Sequence, residues 1–443
     1  MPRYTVANLR ARLEEGMEIF QRELGIRPTV FRAPCGAISK PFFAALDEIG
    51  IRYHTAMYIS GSGYEHLPHK SGVLAQQWVD AIPHHPYRWY NDIVEVPILN
   101  EYTWRGAGKR SAEFIELAKQ DVARIGQESP IAVLLMAMGG PDRLENVEPY
   151  LKDVRGGRPT PPELVEEIKE RYRATGGKSP VLGITREVAR KLEQRLNGPG
   201  GERYRCYVGL RHWHPFIKEA YSELLDDFPE RVIGLCMAPQ YSSLSIGAYM
   251  NKVEEARAEL ANETPISFVT SWHRHPLLVA AITDNIQQSL QKFPADVRAK
   301  VPVLFTAHSL PERIVAMKDP YPDEVKATAA SVCERLGTQP TRFAFQSQGR
   351  SGEKWLGPTV EDTLAELERE GHRHVLVAPI GFICDHVETL FDIDIELKRL
   401  AQTKGMQLER IPMLNAAPAL IDILMAVLEQ HEASLVAGST ANS

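Results

Sequence analysis

The chain has 443 residues, enough for two or three domains, and its 44% hydrophobic and 24% charged content is that of a globular chain rather than a disordered one. A net charge of -6 lacks the electrostatic footprint of a nucleic-acid binder. No apolar run approaches the roughly 18 residues of a membrane span, the N-terminus has no apolar signal-peptide core, and Cys35, Cys206, Cys236, Cys333 and Cys384 show no CxxC spacing, so the expectation is a cytoplasmic chain with free thiols.

Residues 1–128 alternate helix and strand patterns, which predicts α/β structure. Leu9 to Leu24 reads as a helix stopped by Gly25, and Lys40 to Ile49 as one stopped by Gly50. Thr29 to Phe31, Tyr53 to Met57 and Ile93 to Pro97 read as strands, and Ser111 to Ile125 as a helix before a polar link. The turn Arg32-Ala33-Pro34-Cys35-Gly36, in this setting, resembles a polysaccharide deacetylase of the NodB type. That family holds a divalent metal with a strand-end Asp-Asp pair and a His-x-x-x-His pair, and neither occurs in residues 1–128. His66, His69, His84 and His85 therefore read as solvated loop histidines and Arg32 as a structural arginine. The expectation is an incomplete, inactive deacetylase-like segment, or one whose other half lies upstream.

From residue 130 the pattern becomes a run of buried strands and helices. Ile131 to Met136 is a buried strand that turns at Met138-Gly139-Gly140-Pro141. The turn has neither GxGxxG nor a following Lys-Ser/Thr, so it does not read as a nucleotide cradle. Arg155, Arg158 and Arg171 fall at helix ends, and Gly176-Gly177-Lys178-Ser179-Pro180 is a turn. Tyr207 to Leu210, Val232 to Met237 and Pro265 to Val269 read as further strands. His212 and His214 read as hydrogen-bonded histidines, Tyr249 follows a loop of hydroxyl residues, and Trp272 closes the last strand.

Pro276 to Phe293 predicts a helix. Val301 to Ala307 predicts a buried strand ending at His308, the end at which open α/β sheets bind ligands. Helices follow over Glu324 to Leu336 and Val360 to Glu370, with a strand at Arg342 to Ser347 between them. A second apolar strand, His374 to Ala378, leads through Pro379-Ile380-Gly381 into a helix pattern carrying Glu388, Asp392 and Glu396 every fourth residue. An acidic row of that spacing on an exposed helix is a solvated face. Here Val387, Leu390, Phe391, Ile393, Ile395 and Leu397 surround it, and like charges in a partly buried row require a cation or shared protons. A π-type turn would align the three better than an α-turn. Helix 418–431 closes the pattern and residues 434–443 read as a flexible tail.

Phe305-Thr306-Ala307-His308-Ser309-Leu310-Pro311, Asp319-Pro320-Tyr321-Pro322, Trp355-Leu356-Gly357-Pro358 and Pro379 through Glu388 occur in the order in which ferrochelatases carry them. The chain resembles that family over roughly residues 130–430. The resemblance implies two Rossmann-like lobes with parallel sheets facing across a cleft, at about 129–285 and 286–433. It implies insertion of Fe(II) into protoporphyrin IX or coproporphyrin III in heme biosynthesis, with His308 and Glu388 as the catalytic and metal-contacting pair and Asp392 and Glu396 as a path for protons or iron. It also assigns Met138, Arg155, Ser179, Tyr249 and Trp272 to the porphyrin. Methionine at position 138 matches many protoporphyrin enzymes, whereas Val154-Arg155-Gly156-Gly157-Arg158-Pro159 matches the coproporphyrin type.

The resemblance further implies iron as substrate, no organic cofactor, and no iron–sulfur cluster, since no cysteine follows Cys384. A monomer without nucleic-acid or integral membrane partners is expected. Two other functions share the pattern: a porphyrin carrier without turnover, and a metal-dependent deacetylase. The acidic row argues against a carrier of an anionic ring, and the missing ligands against a deacetylase. A sensitive deacetylase assay on the purified chain is expected to show no turnover; measurable turnover would overturn the inactivity of residues 1–128.

Overall fold

The computed structural model describes residues 129–440 except Phe228, Ala261, Arg350 and Ser351; before them it describes Arg10, Glu14, Glu18 and four two-residue strands. The chain divides into two units, Met1–Gln127 and Glu128–Ser443. In the first, Val30–Phe31, Tyr53–His54 and Val94–Glu95 pair in parallel, and Tyr87–Arg88 pairs antiparallel to Val94–Glu95. Those three parallel strands fall inside the stretches read as strands. Arg10, Glu14 and Glu18 are helical within the expected first helix, and Arg10 pairs with Glu14 at 3.0 Å. Arg32, His66, His69, His84, His85 and the two later helices lie outside the described residues.

The second unit is built from two four-stranded parallel sheets. β1 (Ile131–Ala137), β2 (Tyr204–Leu210), β3 (Arg231–Cys236) and β4 (Ile266–Val269) form the first, in the order β2-β1-β3-β4. β5 (Val303–His308), β6 (Thr341–Gln346), β7 (His374–Pro379) and β8 (Gln407–Arg410) form the second, in the order β6-β5-β7-β8. The two orders are the same permutation. All seven residues of β1 are buried, as continuous apolar strands covered on both faces must be.

Helices cover the sheets: α1 (Val147–Val154), α2 (Pro162–Ala174), α3 (Val181–Asn197), α4 (Ile217–Leu225), α5 (Ile246–Glu259) and α6 (Pro276–Leu290) precede β5. α7 (Arg313–Ala316), α8 (Tyr321–Leu336), α9 (Val360–Arg369), a π-helix (Glu388–Leu397), α10 (Lys398–Thr403) and α11 (Pro418–Thr440) follow it. One core runs through both halves. Val133 and Leu135 of β1, Val303 and Phe305 of β5, and Ile286 of α6 belong to it, together with Leu424 and Leu428 of α11. Each such fully buried aliphatic side chain contributes roughly 1.5–3 kcal/mol relative to exposure.

The last helix, α11, runs past residue 433 to Thr440. The chain holds it in place at that point: the Glu432 carboxylate accepts from Tyr204 at 2.8 Å and from Arg231, and His431 shares a 2.8 Å hydrogen bond with Ser267. These tie the helix to β2, β3 and β4, so its next two turns start from a fixed base.

The parallel pairing of β5 and β7 positions the site. Gly381 donates its N–H to the Thr306 carbonyl at 3.2 Å, and a Cβ at Gly381 would lie 2.8 Å from Ala307 Cβ and 2.9 Å from Ala307 Cα. Both neighbours are rigid parts of β5. Gly381→Ala is therefore expected to destabilise the chain by about 1–3 kcal/mol, read as a lowered denaturant midpoint; an unchanged midpoint would show that the two strand ends part freely.

Candidate active site

His308 is the last residue of β5, and its position is set twice. The Tyr321 hydroxyl donates to its carbonyl at 2.8 Å. Its ring Nδ1 faces the Ser309 carbonyl, an acceptor, so Nδ1 carries a proton. Its Nε2 lies 3.5 Å from Glu388 Oε2. A second imidazole approaches the same oxygen: His386 Nε2 lies 3.6 Å from Glu388 Oε2. His386 Nδ1 donates to the Cys384 carbonyl at 3.1 Å. Glu388 Oε2 and His386 Nε2 are both buried with no hydrogen-bond partner. Two imidazole nitrogens and one carboxylate oxygen thus converge within 3.6 Å.

Burial alone would raise the Glu388 carboxyl, but His308, the contact with His386 and the Arg171 guanidinium outweigh it and hold the group down at about 2. The Glu388 charge in turn adds to the burial that pushes the phenols of Tyr150, Tyr172 and Tyr321 upward. These three tyrosines, from α1, α2 and α8, keep their protons around an ionised carboxylate.

Glu388 opens the ten-residue π-helix. Its i→i+5 bonds widen the turn beyond the α-helical 3.6 residues. Residues four apart then stay close to one line, so Glu388, Asp392 and Glu396 form a row. Asp392 accepts from Arg171 at 2.9 Å and from Ser347 at 2.6 Å. Glu396 lies 3.9 Å from the same guanidinium, which stacks on Phe391 at 5.1 Å. The row leads outward: the Glu388 side chain is 22% exposed and that of Glu396 54%. Its outer part borders a cavity of about 530 Å³ lined by Arg171, Gln346, Ser347, Asp392 and Glu396.

The porphyrin-assigned residues lie on several elements. Met138, 43% exposed, sits on the turn after β1, and its carbonyl accepts the His212 N–H at 3.0 Å. Arg155 ends α1 with its Nε buried and unpartnered. Ser179 donates its N–H to Pro141 at 2.8 Å, and its Oγ lies so near Gly140 that a Cβ there would come within 2.5 Å. Tyr249 is buried on α5 under the Arg211 guanidinium at 5.8 Å, and Tyr150 contributes to the upward push on its phenol. Trp272 is 6% exposed inside the shared core, and among the described residues no hydrogen bond, ring contact or ion pair joins it to His308 or Glu388. His212 and His214 are hydrogen-bonded to Asp153 and Glu219 at 2.8 and 2.9 Å. No closed group of three or more metal-holding side chains occurs among the described residues.

Sequence reasoning did not assign His386, Arg171, Ser347, Tyr150 or Tyr172 to the site. His386 carried a signal, standing two residues before Glu388 in the same motif. Arg171 reads either as a helix-end arginine or as a partner for a carboxylate, and nothing local names Asp392, 221 residues later, as that partner.

Comparison with known proteins gives the same assignment. The family model described as Ferrochelatase matches residues 130–432. The chain is 46% identical to the ferrochelatase of Herpetosiphon aurantiacus over 67% of this chain and 97% of that protein. It is 40% identical to the ferrochelatase of Deinococcus radiodurans, over 70% of this chain and 98% of that protein. With coproporphyrin III ferrochelatase 1 of Bacillus anthracis the identity is 37%, over 69% and 99%. The chain belongs to the ferrochelatase family.

The row makes a pH prediction. Burial, Glu388 and Glu396 outweigh the Ser347 bond and Arg171 and raise Asp392 from 3.8 to about 6. Between these values the folded chain keeps a proton that the unfolded chain has lost, so stability falls as pH rises through that window. Glu388 acts lower, its contribution being lost as pH falls from 4.5 towards about 2. Asp392→Asn is expected to remove the fall between about pH 4 and pH 6, a difference of up to about 3 kcal/mol, read by denaturant titration across pH. Superimposable curves for the two proteins would refute the assignment.

Proposed function

We propose that this site inserts ferrous iron into a porphyrin by way of His308 and Glu388, as a lyase forming metal–nitrogen bonds in heme biosynthesis. The observation that carries it is the convergence of His308 Nε2 and His386 Nε2 on Glu388 Oε2, at 3.5 and 3.6 Å. In metallation one Fe(II) enters the ring and two pyrrole protons leave, so the site needs basic lone pairs and negative charge at one point. Imidazole nitrogen and carboxylate oxygen suit ferrous iron, and the same lone pairs suit a departing proton. Asp392 and Glu396 continue the charge outward as the route for one or the other. Energy for bending the flat ring comes from binding elsewhere on it, and Arg155, whose fork matches a carboxylate, is the candidate for its propionates.

Met138, Ser179, Tyr249 and Trp272 complete the proposed porphyrin set. The described helices include none long and apolar enough to cross a membrane; a cytoplasmic monomer using no organic cofactor and no iron–sulfur cluster fits the reading. Residues 1–128 stay proposed as an incomplete deacetylase-like segment, on the turn at Arg32 to Gly36.

The test is anaerobic incubation of the purified chain with Fe(II) and, separately, protoporphyrin IX and coproporphyrin III, followed by absorbance. Metallation of one ring and not the other names the substrate; both rings bound and neither metallated would replace the enzyme with a carrier. His308→Ala and Glu388→Gln are each expected to lower the rate by about 10²-fold or more with the porphyrin still bound. Full activity in both variants would overturn the site.

A further inference from the structure

The π-helix is held from two sides by arginines. Arg171 of α2 holds the acidic row, as described above. The other side is held by Arg410, at the end of β8, with an 11% exposed side chain. Its Nε and terminal nitrogen bind both oxygens of Asp394 at 2.9 and 2.7 Å, and the same nitrogen lies 3.1 Å from Asp385. Asp394 stands on the π-helix two residues after Asp392. Asp385 directly precedes His386. Asp385 is braced further by Asn415, whose amide donates to its carboxylate at 2.7 Å and accepts its N–H at 2.8 Å. Arg410 therefore joins the strand end, the loop that carries His386 and the helix that carries Glu388.

We propose that Arg410 is a positioning residue for metallation: through Asp385 and Asp394 it locks the loop and the π-helix in the one register in which His386 and Glu388 meet His308. The inference rests on the functional reading above. A π-helix has no intrinsic preference over an α-helix, and its ladder persists only where outside contacts over-determine it. A bidentate guanidinium fork suits that task because it fixes angle as well as distance. Released from Asp394, the helix is free to tighten by part of a residue per turn, which rotates Asp392 and Glu396 away from Glu388. Arg410 touches neither ring nor iron in this scheme. Its loss falls on the iron side of the reaction and leaves the porphyrin side, built on α1, α2 and α5, in place.

The experiment compares wild type, Arg410→Gln, Arg410→Lys and Asp394→Asn in the full chain. For Arg410→Gln the expected result is a fall in kcat of at least about tenfold and a raised KM for Fe(II), since small misplacements at a reacting centre cost one to two orders of magnitude. Porphyrin affinity, read by fluorescence quenching, is expected to stay within about twofold by the same reasoning. Arg410→Lys keeps the charge without the fork and recovers part of the loss. The double variant with Asp394→Asn is expected to be no worse than Arg410→Gln alone, since the two act as one unit. Amide exchange over residues 381–397 decides the clamp without reference to turnover: faster exchange in Arg410→Gln supports it and unchanged exchange overturns it. Wild-type kcat and iron KM in Arg410→Gln also overturn it, whatever the melting temperature. If Arg410→Gln fails to fold, Asp394→Asn, at a side chain 37% exposed, carries the same expectations and the same refutation. A wild-type chain that metallates neither ring refutes the functional reading, and the exchange experiment still decides the clamp.

Discussion

A row of three carboxylates on one helix must be held against its own repulsion, and the second half of the molecule is arranged around doing so. The row costs energy twice, once for the like charges and once for taking them partly out of water. Compensation comes from across the fold: Arg171 and Ser347 on Asp392, and two imidazoles on Glu388. The wide helical turn adds to the crowding, because it lines up side chains that an α-helix would fan out. Such an arrangement is costly in the resting protein. It is poor as a mere surface and poor as a tight metal store.

Much of this architecture is written locally, and what is not has a common cause. Buried strands announce themselves as unbroken apolar runs, which is why β1, β5 and β7 stand out within a few residues of their ends. The acidic row announces itself by spacing, and the apolar residues between its members say that it faces inward. What local pattern cannot give is the partner of a charged side chain. Arg171 meets Asp392 across 221 residues and Arg231 meets Glu432 across 201. An arginine at a helix or strand end looks the same whether it is solvated or half the support of a site.

The repeated strand order of the two sheets has a further meaning for the site. Met138 follows β1 and His308 ends β5, so each sheet carries a candidate site residue at the C-terminal end of the corresponding strand, which is where open parallel sheets offer backbone and loops to a ligand. The halves then divide the labour. The second contributes the charged and basic atoms, on the ends of β5 and β7. The first contributes α1 and α2, with buried phenols and arginines. Ser242 and Ser243 from the first half donate to Asp319 of the second at 3.1 and 2.7 Å, so the loop that backs His308 is anchored on the opposite half.

The place of α11 sets an order of events during synthesis. This helix is made after both sheets of its unit, yet it covers the sheet made first, lying in one core with α3 and β1 and tied to β2 and β3 through Glu432. At a translation rate of roughly 5–20 residues per second, the first sheet waits on the order of tens of seconds with part of its apolar face uncovered. During that interval the nascent chain is a customer for any chaperone that reads exposed aliphatic surface. The finished enzyme keeps no trace of that dependence except in how far its two chain-distant parts have become one core.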